Sequence, residues 1–300
     1  MNMPAYHPFR SAKAKERYLR YYDRRAQQWP VVSESSVVAT SYGQTFVRIS
    51  GPKDAPPLVL LPSAAATSLF WGPNIQALSA CYRVYAVDNI YDFGRSVYTR
   101  PIKSPADLTT WLDELFSALE LGDQINLIGL SYGAWLTSQY ALRFPNRLHK
   151  IVLCAPPATI FPLPGAWAWY GLTSLIPHRY FLRNMTRWMF KDLTQKKDEA
   201  SRKLVEDLVE DAFIGLRCFK LKMPVTPTVL ADQELRSITM PTLFLVGEHE
   251  VVYPAQEAIQ RIRKAAPQIH TAIIPNAGHD LTIVQAELVN RKILEFLKQP

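Results

Sequence analysis

The sequence has few cysteines, and its first ten residues are not strongly apolar. Its three cysteines, Cys81, Cys154 and Cys218, are too few and too scattered for a disulfide framework or a Cys-based zinc site. The first residues, MNMPAYHPFR, contain no apolar stretch, which argues against a cleaved signal peptide. These features predict a protein of the reducing cytoplasm.

The chain also lacks an uninterrupted apolar segment long enough to cross a membrane. Residues 151–177 contain no charged side chain, but five prolines interrupt them, at positions 156, 157, 162, 164 and 177. A spanning helix needs about 20 consecutive apolar residues in helical conformation. We interpret this segment as a buried strand that continues into an apolar, proline-rich connection.

Positive charge is concentrated in a small part of the chain. The net charge is +8, and residues 1–30 hold seven Lys or Arg against two Asp or Glu, while residues 156–232 hold eleven against eight. The rest of the chain is neutral, which argues against a nucleic-acid partner because such proteins carry a basic stripe on their folded body. The basic N-terminus predicts an amphipathic helix packed through Tyr18, Tyr21 and Tyr22. Contact with an acidic membrane surface is the less favoured alternative.

The rest of the sequence alternates between strand and helix patterns. Residues 37–41 and 45–50 predict a β-hairpin, and short apolar runs predict strands buried on both faces, at 58–61, 84–87, 125–128, 151–154, 242–246 and 271–274. Helical spacing predicts helices at 105–121, 132–144, 254–266 and 281–297. This order is typical of an α/β fold with a mostly parallel sheet and helices on both faces.

The alternation lapses between residues 156 and 232, which are rich in aromatic side chains. We therefore predict three parts: an N-terminal helical extension (1–30), an α/β core (31–155 and 233–300) and an inserted helical cap (156–232). Most of the aromatic rings of the cap are expected to pack in its core, and a few to line a binding pocket.

The strongest catalytic motif is Gly129-Leu130-Ser131-Tyr132-Gly133, which matches G-x-S-x-G between a predicted strand and a predicted helix. A sharp turn there exposes the Ser131 hydroxyl at the carboxyl edge of the sheet, beside a helix N-terminus. Serine needs a base to become a nucleophile, and the base needs a carboxylate to orient it. Of six histidines, His279 is favoured, because it follows the strand at 271–274. Two carboxylates follow the strand at 242–246, and we favour Glu250 over Glu248.

These motifs resemble those of the α/β-hydrolase fold superfamily, in its esterase/lipase-like group. Besides GLSYG, the resemblance rests on Gly94-Arg95-Ser96 after the strand at 84–87, on PTLFLVGEHE (241–250) and on NAGHD (276–280), and it spans roughly residues 30–300. It implies an eight-stranded, mostly parallel sheet and a triad of Ser131, Glu250 and His279.

Two positions depart from the family pattern. The acid of the family is most often Asp, whereas Glu250 is one methylene longer. The oxyanion loop of the family usually begins His-Gly, whereas this chain has Leu61-Pro62-Ser63-Ala64. The resemblance places the two oxyanion donors at the backbone N–H groups of Tyr132 and Ala64, with the Ser63 hydroxyl as an alternative donor.

The sequence thus predicts a serine hydrolase that cleaves small carboxylic esters with apolar substituents through an acyl-enzyme on Ser131, without a metal or an organic cofactor. An acyltransferase with the same triad is one alternative. Another is a catalytically silent protein that binds a small ligand. A third is an interfacial lipase that docks through residues 1–30.

Overall fold

The structure, a computed structural model, describes residues 3–220, 222 and 225–299. The strands within these residues are β1 (Glu34–Thr40), β2 (Gly43–Ser50), β3 (Pro57–Leu61), β4 (Arg83–Val87), β5 (Val97–Tyr98), β6 (Ile125–Leu130), β7 (Leu148–Cys154), β8 (Thr242–Gly247) and β9 (His270–Ile274).

The α-helices are α1 (Ala12–Ala26), α2 (Gly72–Ser79), α3 (Pro105–Ala118), α4 (Tyr132–Arg143), α5 (Gly165–Ser174), α6 (Arg179–Met189), α7 (Lys191–Gln195), α8 (Glu199–Cys218), α9 (Asp232–Ser237), α10 (Ala255–Ala265), α11 (Leu281–Val284) and α12 (Ala286–Lys298). None of these helices is long and apolar enough to cross a membrane.

One sheet runs through the molecule in the order β1-β2-β4-β3-β6-β7-β8-β9, and β5 pairs with β2 outside this order. Strand β2 is antiparallel to β1, β4 and β5, and the remaining pairs, from β4 to β9, are parallel. The carboxyl ends of the parallel strands therefore meet at one edge, where α/β proteins bind their ligands.

The central strands are buried on both faces. In β3, Val59 and Leu61 pack into the hydrophobic core that contains α3, α4 and α10, whereas Leu58 and Leu60 pack into the core that contains α2 and α12. Consecutive strand residues point to opposite faces, so an uninterrupted apolar run fills both cores. This explains why these strands lack polar alternation.

Five helices, α5 to α9, lie in the chain between β7 and β8. Helix α1 packs on α8: Tyr18 and Tyr22 are buried in a third core with Phe219, and Arg25 pairs with Asp207 and Asp211 of α8. On its other side, Arg95 pairs with Asp23 of α1. The basic N-terminal helix therefore connects the inserted helix α8 to the loop after β4.

The structure contains all eight predicted strands, and it adds a ninth strand, β5, and helices α2 and α9, which the sequence analysis did not predict. The two-residue strand β5 was not predicted, because it forms only where the loop after β4 returns beside Gly43. The helix predicted at 281–297 is broken at Gln285, whose φ of −125° and ψ of 36° separate α11 from α12. No glycine or proline marks this break in the sequence.

Candidate active site

Ser131 occupies a strained turn between β6 and α4. Its φ of 52° and ψ of −121° lie in a region that residues with a Cβ rarely adopt, at a cost on the order of 1–3 kcal/mol. Its N–H donates to the carbonyl of Cys154 at 2.8 Å. The turn thus holds the serine at the carboxyl edge of the sheet, at the first turn of α4.

The glycines on either side of Ser131 permit this turn by close approach. A Cβ added to Gly129 would lie 2.2 Å from the carbonyl oxygen of Gly133, and one added to Gly133 would lie 2.3 Å from that of Leu61. Both distances are far below van der Waals contact. The second also shows that the end of β3 runs directly against the first turn of α4.

His279 links Ser131 to Glu250. Its Nε2 lies 2.8 Å from Ser131 Oγ, and its Nδ1 lies 3.0 and 3.1 Å from the two carboxylate oxygens of Glu250. With the ring proton assigned to Nδ1, His279 donates to Glu250 and accepts from the serine hydroxyl. The histidine and glutamate side chains are 1% and 0% exposed, so water does not compete for these contacts.

The loop after β8 orients Glu250 and directs Glu248 elsewhere. Oε1 of Glu250 accepts the N–H groups of Val251 and Val252 at 2.9 and 3.0 Å. Oε2 of Glu248 instead accepts the N–H of Asn276 at 3.1 Å. The structure therefore places Glu250, rather than Glu248, against His279.

The surroundings of His279 act on its pKa in opposite directions. Burial disfavours the charged ring and would lower the pKa, but the charge of Glu250 and its hydrogen bond favour the imidazolium. The net effect is a pKa above the usual histidine value. Glu250 thus stabilises the protonated form of the ring.

The expected oxyanion donors lie on two neighbouring segments, the chain after β3 and the turn between β6 and α4. Among the described residues, neither the N–H of Ala64 nor that of Tyr132 donates to a protein acceptor. The next N–H, of Ala65, donates to the carboxylate of Asp92 at 2.8 Å. Both expected donors, one on the segment after β3 and one at the first residue of α4, therefore have an N–H that can bond to a ligand.

Two contacts between α7 and the catalytic loops were missed by the sequence analysis. Buried Asp280, the residue after His279, accepts the N–H of Leu193 of α7 at 2.8 Å, and Asp192 lies 2.8 Å from Nδ1 of His249. The only signals in the sequence are the positions of Asp280 and His249 beside His279 and Glu250. Nothing in it indicates their partners on α7.

Two other titratable residues at strand ends, Asp88 and Cys154, have structural roles. Asp88 is fully buried and accepts the N–H groups of Ser68 and Arg95 at 2.8 and 2.9 Å, so it fixes two loops. Burial raises the pKa of Cys154 to about 12, which keeps its thiol protonated. Within the described residues, no three His, Cys, Asp or Glu side chains come together as metal ligands.

A cavity of about 380 Å³ opens beside the segment after β3. Its wall is formed by Ala64 and Ala65, by α1 and by the inserted helices, and it includes Tyr22, Trp167 and Leu182. Most of this lining is apolar or aromatic. The volume lies within the range of small-molecule sites.

Comparisons with known proteins place this chain in a family. Residues 58–292 match the model of the alpha/beta hydrolase family. The carboxylesterase YbfK of Bacillus subtilis is 33% identical over 96% of both chains, and the uncharacterized carboxylesterase nap of the same organism is 35% identical over 93% of this chain and 92% of its own.

Solved structures agree with the sequence comparisons. The crystal structure of naproxen esterase from Bacillus subtilis superimposes with a TM-score of 0.87 at 32% identity, covering 96% of this chain and 99% of that one. That of carboxylesterase CesB (YbfK) gives a TM-score of 0.86 at 31% identity, with the same coverage. The chain belongs to the α/β-hydrolase family.

Proposed function

We propose that this protein is a carboxylic ester hydrolase that forms an acyl-enzyme on Ser131. The observation that carries the proposal is the unbroken chain of contacts from the Ser131 hydroxyl through both nitrogens of His279 to Glu250. The similarity to two Bacillus subtilis carboxylesterases over nearly the whole chain supports the same reaction class.

In the acylation step, Nε2 of His279 takes the proton of Ser131 as Oγ attacks the ester carbonyl. Glu250 holds the ring in the tautomer that leaves Nε2 free and balances the positive charge that develops on it. The N–H groups of Tyr132 and Ala64 donate to the tetrahedral oxyanion. The imidazolium then gives its proton to the alcohol oxygen, and the C–O bond breaks.

In the deacylation step, the same histidine takes a proton from a water molecule that attacks the acyl carbonyl. The second tetrahedral intermediate collapses, and the proton returns to Ser131 as the acid leaves. No step requires a group other than the triad, the two backbone donors and water.

The cavity supports a small ester with apolar substituents as the substrate. Its lining is dominated by aliphatic and aromatic side chains, and burying apolar surface favours binding by about 25 cal/mol per Å².

A cytoplasmic location remains a prediction. The three cysteines are unpaired, as expected in a reducing compartment.

Replacement of Ser131 tests the proposal. Ser131→Ala should abolish turnover of p-nitrophenyl acyl esters and labelling by a fluorophosphonate probe without lowering the melting temperature. Ser35→Ala, at an exposed position of β1, is the matched control and should behave like the unmodified protein. Turnover by Ser131→Ala close to that of the control would refute the assignment.

The acceptor of the acyl group is tested separately. In reactions supplemented with an alcohol or a thiol, we expect the free acid as the main product. A new ester or thioester as the main product would identify an acyltransferase. Absence of both turnover and fluorophosphonate labelling in the unmodified protein would indicate a ligand-binding protein.

A further inference from the structure

The segment after β3 adopts a conformation that its sequence does not favour. Ala65 has a φ of +57°, in the left-handed region, where a residue with a Cβ is disfavoured and glycine is the usual choice. Residues 61–66 contain no glycine. An interaction outside the segment must therefore stabilise this conformation of Ala65, because the segment itself does not.

The carboxylate of Asp92 supplies that interaction. Asp92 lies in the loop after β4, and its Oδ2 accepts the N–H of Ala65 at 2.8 Å. Its other oxygen, Oδ1, accepts the N–H of Phe93 at 2.7 Å, which fixes the direction of the side chain. Both oxygens are thus engaged by backbone donors, and the peptide between Ala64 and Ala65 is held in one orientation.

Asp92 is itself held by Lys222. The Lys222 ammonium donates to the backbone carbonyl of Asp92 at 3.1 Å, and it lies 4.9 Å from the ring centroid of Tyr91 and 5.2 Å from that of Tyr98. Burial raises the pKa of Asp92 to about 6 and lowers that of Lys222 to about 8. Both groups are therefore charged at pH 7.

Apolar packing alone does not account for this arrangement. Two charged groups with limited access to water are more often destabilising than an apolar pair of the same size. Asp92 and Lys222 also both line the cavity beside Ala64. The carboxylate nevertheless contacts the one residue of the segment that has an unfavourable φ. This points to a role in setting the geometry of the cavity wall.

We propose that Asp92 is a positioning residue for the oxyanion hole: by holding Ala65 in its left-handed conformation, it aims the N–H of Ala64 at the reacting carbonyl oxygen. The inference rests on the proposed function, in which Ala64 is an oxyanion donor. It adds a residue that never touches the substrate carbonyl but determines how well the transition state is stabilised.

Kinetics separate this role from a structural one. Loss of one oxyanion donor typically lowers kcat by about 10²–10³-fold, whereas binding of the ester before reaction is little affected. We expect Asp92→Ala to lower kcat for p-nitrophenyl acyl esters by about 10–100-fold and to change KM by less than about threefold. Affinity for a trifluoromethyl ketone, which forms a tetrahedral adduct with the serine, should fall in parallel with kcat.

A second substitution tests the cause. Glycine adopts a positive φ without penalty, so Asp92→Ala combined with Ala65→Gly should regain a large part of the lost kcat, with Ala65→Gly alone as its reference. Asp92→Asn keeps one acceptor oxygen and should lie between Asp92→Ala and the unmodified protein. Asp92→Asn also tests the proposal if Asp92→Ala does not fold. Asp54→Asn, at an exposed carboxylate, controls for loss of charge.

The outcomes are distinguishable. A folded Asp92→Ala or Asp92→Asn variant with unchanged kcat would overturn the positioning role, as would a loss of kcat that Ala65→Gly does not relieve. If instead Ser131→Ala retains full turnover, the proposed function itself has failed, whatever the Asp92 variants do.

Discussion

Both carboxylate oxygens of Glu250 lie within hydrogen-bond distance of Nδ1 of His279, at 3.0 and 3.1 Å. Glutamate is longer by one methylene than the aspartate more common at this position, and its extra length has to be held in place. The N–H groups of Val251 and Val252 donate to Oε1. They fix the carboxylate, so the longer side chain still presents a single geometry to the ring.

Glu250→Gln should lower kcat by about 10²- to 10⁴-fold. The amide cannot balance the imidazolium charge, and its NH₂ group favours the wrong tautomer of His279. Steady-state kinetics with p-nitrophenyl esters measure the effect. Glu248→Gln is the matched control, because its carboxylate bonds to Asn276. A larger loss in the control than in Glu250→Gln would assign the triad acid to Glu248.

The pH profile should show the effect of Glu250 on His279. Because the pKa of His279 is raised above 6.5, kcat/KM should fall as pH decreases through a value higher than that, when the base becomes protonated. Removing the charge in Glu250→Gln lowers this pKa, so the acid limb should move to lower pH as the plateau falls. An acid limb at the same pH in both proteins would contradict this coupling.

Gly133→Ala should damage both stability and activity. The new Cβ would lie 2.3 Å from the Leu61 carbonyl, and overpacking of this kind costs about 1–3 kcal/mol. Relief of the clash moves the segment after β3 away from α4. We expect a lower melting temperature and a lower kcat. Gly72→Ala, where a Cβ meets nothing within 4 Å, should be neutral or stabilising by about 0.4–1 kcal/mol.

The positions of the strands along the chain and the triad candidates could be predicted because their signals are local. Buried parallel strands need short apolar runs, and a nucleophile in a strand-to-helix turn needs glycines beside it, as around Ser131. Each triad candidate also follows a recognisable strand, and in parallel sheets the strand ends share an edge. The sequence therefore leaves Glu248 and Glu250 as the candidates for the triad acid. The structure places the carboxylate of Glu250 within hydrogen-bond distance of His279.

What could not be predicted depends on contacts between distant segments. The bond between Asp92 and Ala65 joins loops 27 residues apart, and that between Asp280 and Leu193 joins residues 87 apart. Neither pair leaves a periodic pattern or a motif. The left-handed Ala65 is equally hidden, since alanine does not signal a positive φ.

Helix α1 should contribute to both stability and substrate binding. Arg25 is 16% exposed and pairs with Asp207 and Asp211 of α8, and α1 forms part of the cavity wall. Arg25→Gln should therefore cost about 1–3 kcal/mol, between the values of exposed and buried pairs, and raise KM more than it lowers kcat. Arg20→Gln is the control, because the pair of Arg20 with Glu16 is exposed. Equal effects in both variants would show that the ion pairs of Arg25 contribute no more to stability or substrate binding than an exposed pair does.

Enlarging the cavity should change the preferred ester. Leu182 is 3% exposed and lines the cavity, so Leu182→Ala creates space that a longer or bulkier acyl group can fill. One methylene in an apolar pocket changes kcat/KM by about 10–200-fold, and we expect the ratio for long over short p-nitrophenyl esters to rise within this range. Leu172→Ala, at a residue 68% exposed, should leave the ratio unchanged. An unchanged ratio in folded Leu182→Ala would show that the acyl group does not occupy this part of the cavity.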